Sequence, residues 1–296
     1  MQNNILTRTA YAKINLYLDV LGKMENGYHE IESVMQSISL CDEITLAISD
    51  GNGIEITSNS PYVPLNEKNL VYKAAIKFLA YLSEKCTTQE TQKKLSFHIE
   101  KNIPIEAGMA GGSADCACAL YLLNEAFGYP IKDKDLISLG ASLGADVAFC
   151  LTGGCAICRG IGEKITPISP ISNINLVCAI GDKGVSTPYA FGLIDQSFGI
   201  TPKPYGKLNE LIKAIEKNDT NELATCLFNK FESVIEPIND SVLKIKGEML
   251  KNGALGALMS GSGPSVFGIF ESKEKAQRAY NALREKNFHA FLCKTV

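Results

Sequence analysis

The segment IPIEAGMAGGSADCACAL, residues 103–120, constrains the fold more than any other part of the chain. Gly108, Gly111 and Gly112 fall within five residues, and Ser113, Asp115 and a run of small and apolar residues that reads as a helix follow them. An alternating segment, Leu95 to Glu100, precedes the glycines and reads as a strand. Strand, glycine turn and helix start, in that order, present free backbone N–H groups and the positive end of a helix dipole. Glycine also lets a ligand approach the backbone without meeting a Cβ. Ser113 is the natural N-cap, with Asp115 in the first turn. Neither common nucleotide fingerprint is present. Ala110 stands where Gly-x-Gly-x-x-Gly needs its second glycine, and no lysine follows Gly111 or Gly112. The local pattern fits a phosphate cradle or a tight, well-capped turn, and leaves both open.

Bulk properties narrow the class. The 296 residues are 46% hydrophobic and 21% charged, enough for a sizeable core and ordinary for a globular protein, with two domains the best prior. The net charge of −3 and the lack of any dense Lys/Arg run argue against nucleic acid as a partner. MQNNILTRTAYAKINLYL has no basic lead followed by an unbroken apolar block, so no secretory signal is expected. A long uncharged stretch, Gly253 to Phe270, holds five glycines, three serines and a proline and is too polar to span a membrane. A cytoplasmic location is the expectation. The ten cysteines are scattered through apolar segments and read as small buried hydrophobes. Cys150, Cys155 and Cys158 have an iron–sulfur-like spacing. Cys155 and Cys158 would nevertheless point to opposite faces of a strand.

Periodicity predicts strands at Thr7–Val20, Ser33–Leu40, Glu43–Ile48 and Gly53–Thr57, then a strong helix opened by Asn69. Helices are predicted from Ser113 to Phe127 and from Asp133 to Leu143. GADVAFCLTGGCAICRG reads as a turn and a β-hairpin, and Thr166–Asn173 as a linker. Beyond it come a buried strand at Ile174–Ile180 and helices near Pro188–Asp195, Lys207–Lys217, Asn221–Phe228 and Ile238–Asn252. GALMSGSGPSVFGIF reads as strand, glycine loop and strand; Ala276–Glu285 as a helix; His289–Thr295 as a last strand. Clustered strands and helices make this an α+β protein in two halves.

Other polar residues stand in apolar surroundings. Lys13 and Asn15 share one face of the first strand, where an exposed edge lysine is the bland explanation. Asp146 follows Gly144 and precedes the apolar run VAFCL, as a turn or cap residue or as a buried acid held for chemistry. Gly261-Ser262-Gly263-Pro264 forms a second glycine loop, and Tyr28-His29 puts an aromatic beside an imidazole.

Together, AYAKINLYLDVLGKMENGYHEIESVMQSISLCDEI, IPIEAGMAGGSADCACAL, LGADVAFC and GSGPSVFGIF resemble the GHMP family of small-molecule kinases over nearly the whole chain. The A-K-I-N-L, G-Y-H-E and L-G-A-D-V-A-F segments are the most specific part of that resemblance. It implies a two-domain α+β kinase, divided into residues 1–164 and 165–296, with its active site in the cleft between the domains. It implies ATP and Mg2+ as cofactors and no identified metal ligands. The small-molecule substrate would be a cytidine-diphosphate derivative of a branched tetritol, phosphorylated on its tertiary 2-hydroxyl. By the same resemblance Lys13 and Asp146 form the catalytic pair. Pro104, Ile105, Glu106, Ala107, Gly108, Met109, Ala110, Gly111, Gly112, Ser113 and Ala114 cradle the ATP phosphates. Lys101 and Asn69 fall where the family contacts adenosine. Asn15 lines the substrate pocket, Tyr28 and His29 stack on and hydrogen-bond the cytosine, and Phe191 covers its other face.

The chemistry agrees with this assignment. Phosphoryl transfer needs positioning and charge stabilisation more than covalent help. A carboxylate within reach can take the proton of a hindered alcohol. Asp146 would be that base, and Lys13 would hold it ionised and oriented. Departures from the family loop fall at Met109, Ala110 and Ala114, and Ala110 gives up inexpensive access to positive φ. Ser113 is then the nearer hydroxyl for phosphate or metal. The rival readings are another GHMP kinase, for homoserine or mevalonate, and a ligand sensor that kept the fold and lost the chemistry. The G-Y-H-E segment with Phe191, and the retention of both Lys13 and Asp146, argue against them.

Overall fold

Long runs rich in β-branched and apolar residues dominate the start of the chain. In the computed structural model, which describes residues 4–85, 93–169, 171, 173–182, 184–199 and 207–296, they form β1 (Asn4–Lys23) and β2 (His29–Asp50). Where two strands are predicted, β2 runs on through Cys41 and Asp42. The polar step that suggests a break is a satisfied buried acid. Asp42 is fully buried, and its Oδ1 accepts the N–H groups of Asn102 at 2.5 Å and Ile103 at 2.7 Å.

The chain continues through β3 (Gly53–Ser58), α1 (Leu70–Lys85), β4 (Lys93–Glu100), α2 (Gly111–Ala126), α3 (Asp133–Ala141), α4 (Ala145–Thr152), β5 (Cys155–Gly160) and β6 (Lys164–Ile168). Then come β7 (Asn175–Ile180), α5 (Thr187–Phe198), α6 (Leu208–Glu216), α7 (Thr220–Thr225), β8 (Phe228–Asn229), α8 (Glu232–Ile235) and a 3-10 turn at Glu236–Ile238. Last are α9 (Asp240–Lys251), β9 (Gly256–Met259), β10 (Ser265–Phe270), α10 (Lys273–Glu285) and β11 (His289–Lys294). The α+β class holds.

The segment predicted as a strand at AFCLTGG is instead α4. A short apolar run has no decisive period, and Asp146 in the first turn supplies a helix start. Val147, Ala148, Phe149 and Leu151 are buried as α4 packs on α2 and α3. The start of the predicted linker, Thr166–Ile168, belongs to β6. Pro167 sits opposite Ala156 on a strand that, among the described residues, pairs only with β5, where a missing N–H is tolerated. The helix predicted to reach Phe228 ends at Thr225, and Phe228 pairs in parallel with Tyr17. Cys150 lies on α4, and Cys155 and Cys158 are buried in β5, where burial pushes the Cys155 thiol up to about 12.

The chain divides into two compact units, and β1 and β2 each give residues to both. The first comprises Met1–Ala12, Cys41–Ile105 and Ala110–Thr152. Its strands run in the order β3-β4-β2-β1, with Ile44 opposite Ile99, and α1 to α4 belong to it. Leu46, Phe78, Leu95 and Phe97 are buried in it. The second comprises Lys13–Leu40, Glu106–Met109 and Gly153–Val296. It holds β6-β5-β2-β1-β8 and a separate sheet β11-β7-β10-β9. Its core gathers Leu18, Val20, Ile31, Val177, Val266 and Phe270.

Candidate active site

In the first unit the glycine segment enters α2 at Gly111, not at Ser113. Ser113 is therefore inside the first turn and caps nothing. The N-cap is Ala110, at φ +56° in the left-handed region, with no side-chain cap. Gly111 and Gly112 already follow helical dihedrals, and the Ala114 N–H reaches the Ala110 carbonyl at 2.9 Å. The N–H groups of Gly111, Gly112 and Ser113 remain without intrahelical acceptors, as an anion site requires. Alanine thus adopts the conformation that favours glycine, at a cost of about 1–2 kcal/mol.

Gly111 is required for a second reason. A Cβ there would lie 2.8 Å from Lys101 Nζ and 2.9 Å from Ile103 Cγ2. Lys101 itself is buried between two acids. Its ammonium pairs with Asp42 Oδ2 and, at 2.8 Å, with Asp115 Oδ2. Asp115 Oδ1 is buried without a partner. Burial, opposed by Lys101 and reinforced by the charge of Asp42, raises the Asp115 carboxyl to about 8. The Lys101 charge is thus engaged inside this cluster. Asn69 is likewise engaged locally. Its Oδ1 accepts the Val71 N–H at 2.9 Å at the start of α1, and its Nδ2 donates to the Pro64 carbonyl at 2.7 Å. Pro104 is half-buried and Ile105 exposed. Asp146 is half-buried in the first turn of α4.

The second unit contains Glu106–Met109 and the Lys13 end of β1. Glu106 is exposed at φ +54°, Ala107 and Met109 are buried, and Gly108 lies at φ +77°. A Cβ on Gly108 would run into the Ser260 carbonyl oxygen, so the second glycine loop lies directly against Gly108. Lys13 is 4% exposed, which removes the edge-lysine explanation. Its backbone N–H donates to the Met109 carbonyl at 3.1 Å, and its Nζ donates to Asn15 Oδ1 at 2.8 Å. Lys13 and Asn15 therefore share a face, as alternation predicts.

In the same unit the His29 ring stacks on Phe191, with centroids 4.4 Å apart and planes 11° from parallel. Phe231 meets the edge of Phe191 at 5.0 Å. His29 Nε2 lies 2.7 Å from Asp195 Oδ1, and Lys23 Nζ donates to Asp195 Oδ2 at 2.7 Å. Partial burial raises the Asp195 carboxyl, but hydrogen bonds from Lys23 and His29 outweigh it and hold the group below its ordinary range. Tyr28 is 60% exposed, and it is His29 that lies against Phe191. The second unit thus brings together Lys13, Asn15 and Gly108–Met109, and separately His29 and Phe191. The first brings together Lys101 and Gly111 and also holds Asn69, Ala110, Gly112–Ala114 and Asp146. Sequence reasoning missed Ser33, Asp42, Asp195 and Ser260. Asp195 had a signal, four residues after Phe191 on one helix face. Asp42 had none.

Family models for "GHMP kinases N terminal domain" and "GHMP kinases C terminal" match residues 69–154 and 211–289. The chain is 42% identical to a 4-diphosphocytidyl-2-C-methyl-D-erythritol kinase of Clostridium botulinum (strain Eklund 17B / Type B), over 97% of this chain and 99% of that protein. It is 41% identical to the protein of that name from Clostridium novyi, with the same coverage. A crystal structure of 4-(cytidine 5'-diphospho)-2C-methyl-D-erythritol kinase superposes with a TM-score of 0.82 at 29% identity, covering 98% of this chain and 99% of that one. The paired family matches and these end-to-end similarities establish that the chain belongs to the GHMP kinase family.

Proposed function

We propose that the protein transfers the γ-phosphoryl group of ATP to the tertiary 2-hydroxyl of 4-(cytidine 5'-diphospho)-2-C-methyl-D-erythritol, a step of the non-mevalonate route to isoprenoid precursors. The observation that carries this reading is the 42% identity, over 97% of the chain, to a curated relative of that name. The acceptor oxygen attacks the γ-phosphorus, the bond to the bridging oxygen breaks, and ADP leaves. Asp146 takes the hydroxyl proton as the new bond forms. Lys13 stabilises negative charge near the attacking oxygen. The loop from Pro104 to Ala114 receives the triphosphate, with backbone N–H groups and the α2 dipole in place of the lysine that other phosphate loops carry. Tyr28, His29 and Phe191 recognise the cytosine.

Among the described residues no cluster of three or more His, Cys, Asp and Glu could hold a metal ion. Mg2+ fits a site of this kind because it takes one or two protein oxygens together with substrate phosphates. Ser113 would supply one of those oxygens, and the ion would neutralise phosphate charge. Division into kinase domains at residues 164 and 165, an active site in the cleft between them, and a cytoplasmic location belong to the same proposal. No helix of the described residues is long and apolar enough to cross a membrane.

The test is ATP consumption with the cytidylated tetritol, homoserine and mevalonate as acceptors. Turnover is expected with the first only, and lowered about 100-fold or more in Asp146→Asn with folding unchanged. Preference for another acceptor overturns the substrate, and near-normal turnover of the variant overturns the base.

A further inference from the structure

The amide of Asn15 offers Lys13 an acceptor only when turned one way, and an amide cannot select that orientation by shape alone. Buried groups around it make the selection. Ser33 is fully buried on β2, and its Oγ lies 2.6 Å from the backbone carbonyl of Tyr17. A carbonyl only accepts, so the Ser33 hydroxyl proton is committed there. Ser33 Oγ is then left as an acceptor, and it takes Asn15 Nδ2 at 2.9 Å. With Nδ2 held by Ser33, Oδ1 faces Lys13 Nζ at 2.8 Å. From the other side, Ser260 Oγ accepts the Asn15 backbone N–H at 3.3 Å, donates to the Gly108 carbonyl at 3.1 Å and lies 3.4 Å from Asn15 Oδ1. Asn15, Ser33 and Ser260 are each 1% exposed or less, so no bulk water substitutes for a lost partner.

We infer that Ser33 is a positioning residue for phosphoryl transfer: through Asn15 it turns an oxygen toward the Lys13 ammonium, while Ser260 ties the same residue to the glycine loop at Gly108. This rests on the proposed role of Lys13 in the kinase reaction. A reversed amide would aim an N–H pair at the ammonium and repel it. The effect belongs in turnover, since Ser33 makes no bond to the glycine loop itself.

The test is a double-mutant cycle on the full chain, with ATP and the cytidylated tetritol as substrates. Ser33→Ala should lower kcat about tenfold or more, the scale of one lost hydrogen bond in a charged network, with the KM for ATP within about twofold. In an Asn15→Asp background the carboxylate offers oxygen whichever way it turns, so adding Ser33→Ala should change kcat by less than about twofold. Asn15→Ala leaves no amide to orient and should give the same silence. Equal losses in the Asn15 and substituted backgrounds would mean that Ser33 is merely structural, and overturn the inference. Thermal melting checks each fold; should Ser33→Ala not fold, Ser33→Cys, which keeps a weaker acceptor at similar size, takes its place in the cycle. A wild-type protein with no turnover overturns the proposed function, and the inference with it. A wild type that turns over alongside an equally active Ser33→Ala overturns the inference alone.

Discussion

At the scale of single residues, the protein holds several charges out of water, each with a partner. Lys101 is the sharpest case, one ammonium between Asp42 and Asp115, with Asp115 Oδ1 left unpartnered. Two carboxylates sharing one cation are not both stabilised in the ionised form, and burial pushes the Asp115 group up to about 8. A carboxyl whose folded value lies above its unfolded value of 3.8 favours the folded state at low pH, and that contribution is lost as pH rises toward 8. Asp115→Asn, a neutral isostere, should therefore gain stability relative to the wild type between about pH 4 and pH 8, by at most about 1.4 kcal/mol per pH unit. Urea unfolding of both proteins across that range measures it. Parallel pH profiles would show that Asp115 stays ionised throughout.

At the scale of elements, the glycine loop leads into α2 through Ala110, whose left-handed backbone carries the strain of the turn. Only the loop's composition was legible in the sequence: glycines before an apolar run announced strand, turn and helix. Which residue would cap the helix was not, because Ser113 satisfies every local rule for an N-cap and yet lies inside the first turn. Gly111 and Gly112 can begin a helix, and clearance against Lys101 keeps residue 111 free of a side chain. Restoring glycine at the strained position is a direct check. Ala110→Gly should raise unfolding stability by about 0.5–1 kcal/mol, the left-handed strain released less the added freedom of the unfolded chain. Chemical denaturation gives the number, and a loss of stability would mean that the methyl group packs better than the strain costs. The same limit explains α4 and β2. The AFCL run could belong to a strand or a helix, and only packing on α2 and α3 decides. The acid at residue 42 looked like the end of a strand because its partners, Asn102 and Ile103, lie about sixty residues along the chain.

At the scale of the whole molecule, the path of the chain matters more than its composition. The backbone passes from one compact unit to the other after Ala12, Leu40, Ile105, Met109 and Thr152. Neither unit is a continuous stretch, so neither is released by a single cut. Leu18, Val20 and Ile31, from the first strands, are buried with Val177, Val266 and Phe270 from the far end of the sequence. A fragment ending at residue 164 keeps the first three and loses their cover. It should stay unfolded or aggregate, as read by circular dichroism and size-exclusion chromatography. A cooperative unfolding transition from that fragment would show instead that residues 1–164 fold on their own. Sequence reading found the family motifs on both sides of that boundary. It did not find the interleaving, because local periodicity carries no information about contacts between distant segments.

The bond from the Lys13 N–H to the Met109 carbonyl, 3.1 Å long, is also a mechanical linkage. When the glycine loop moves, that carbonyl either carries the backbone of β1 with it or lets go of the proton it holds. Each release exposes one amide to solvent for an instant. The exchange of that proton for deuterium is thus a clock on loop opening, wound at the very residue whose side chain is proposed to serve the chemistry.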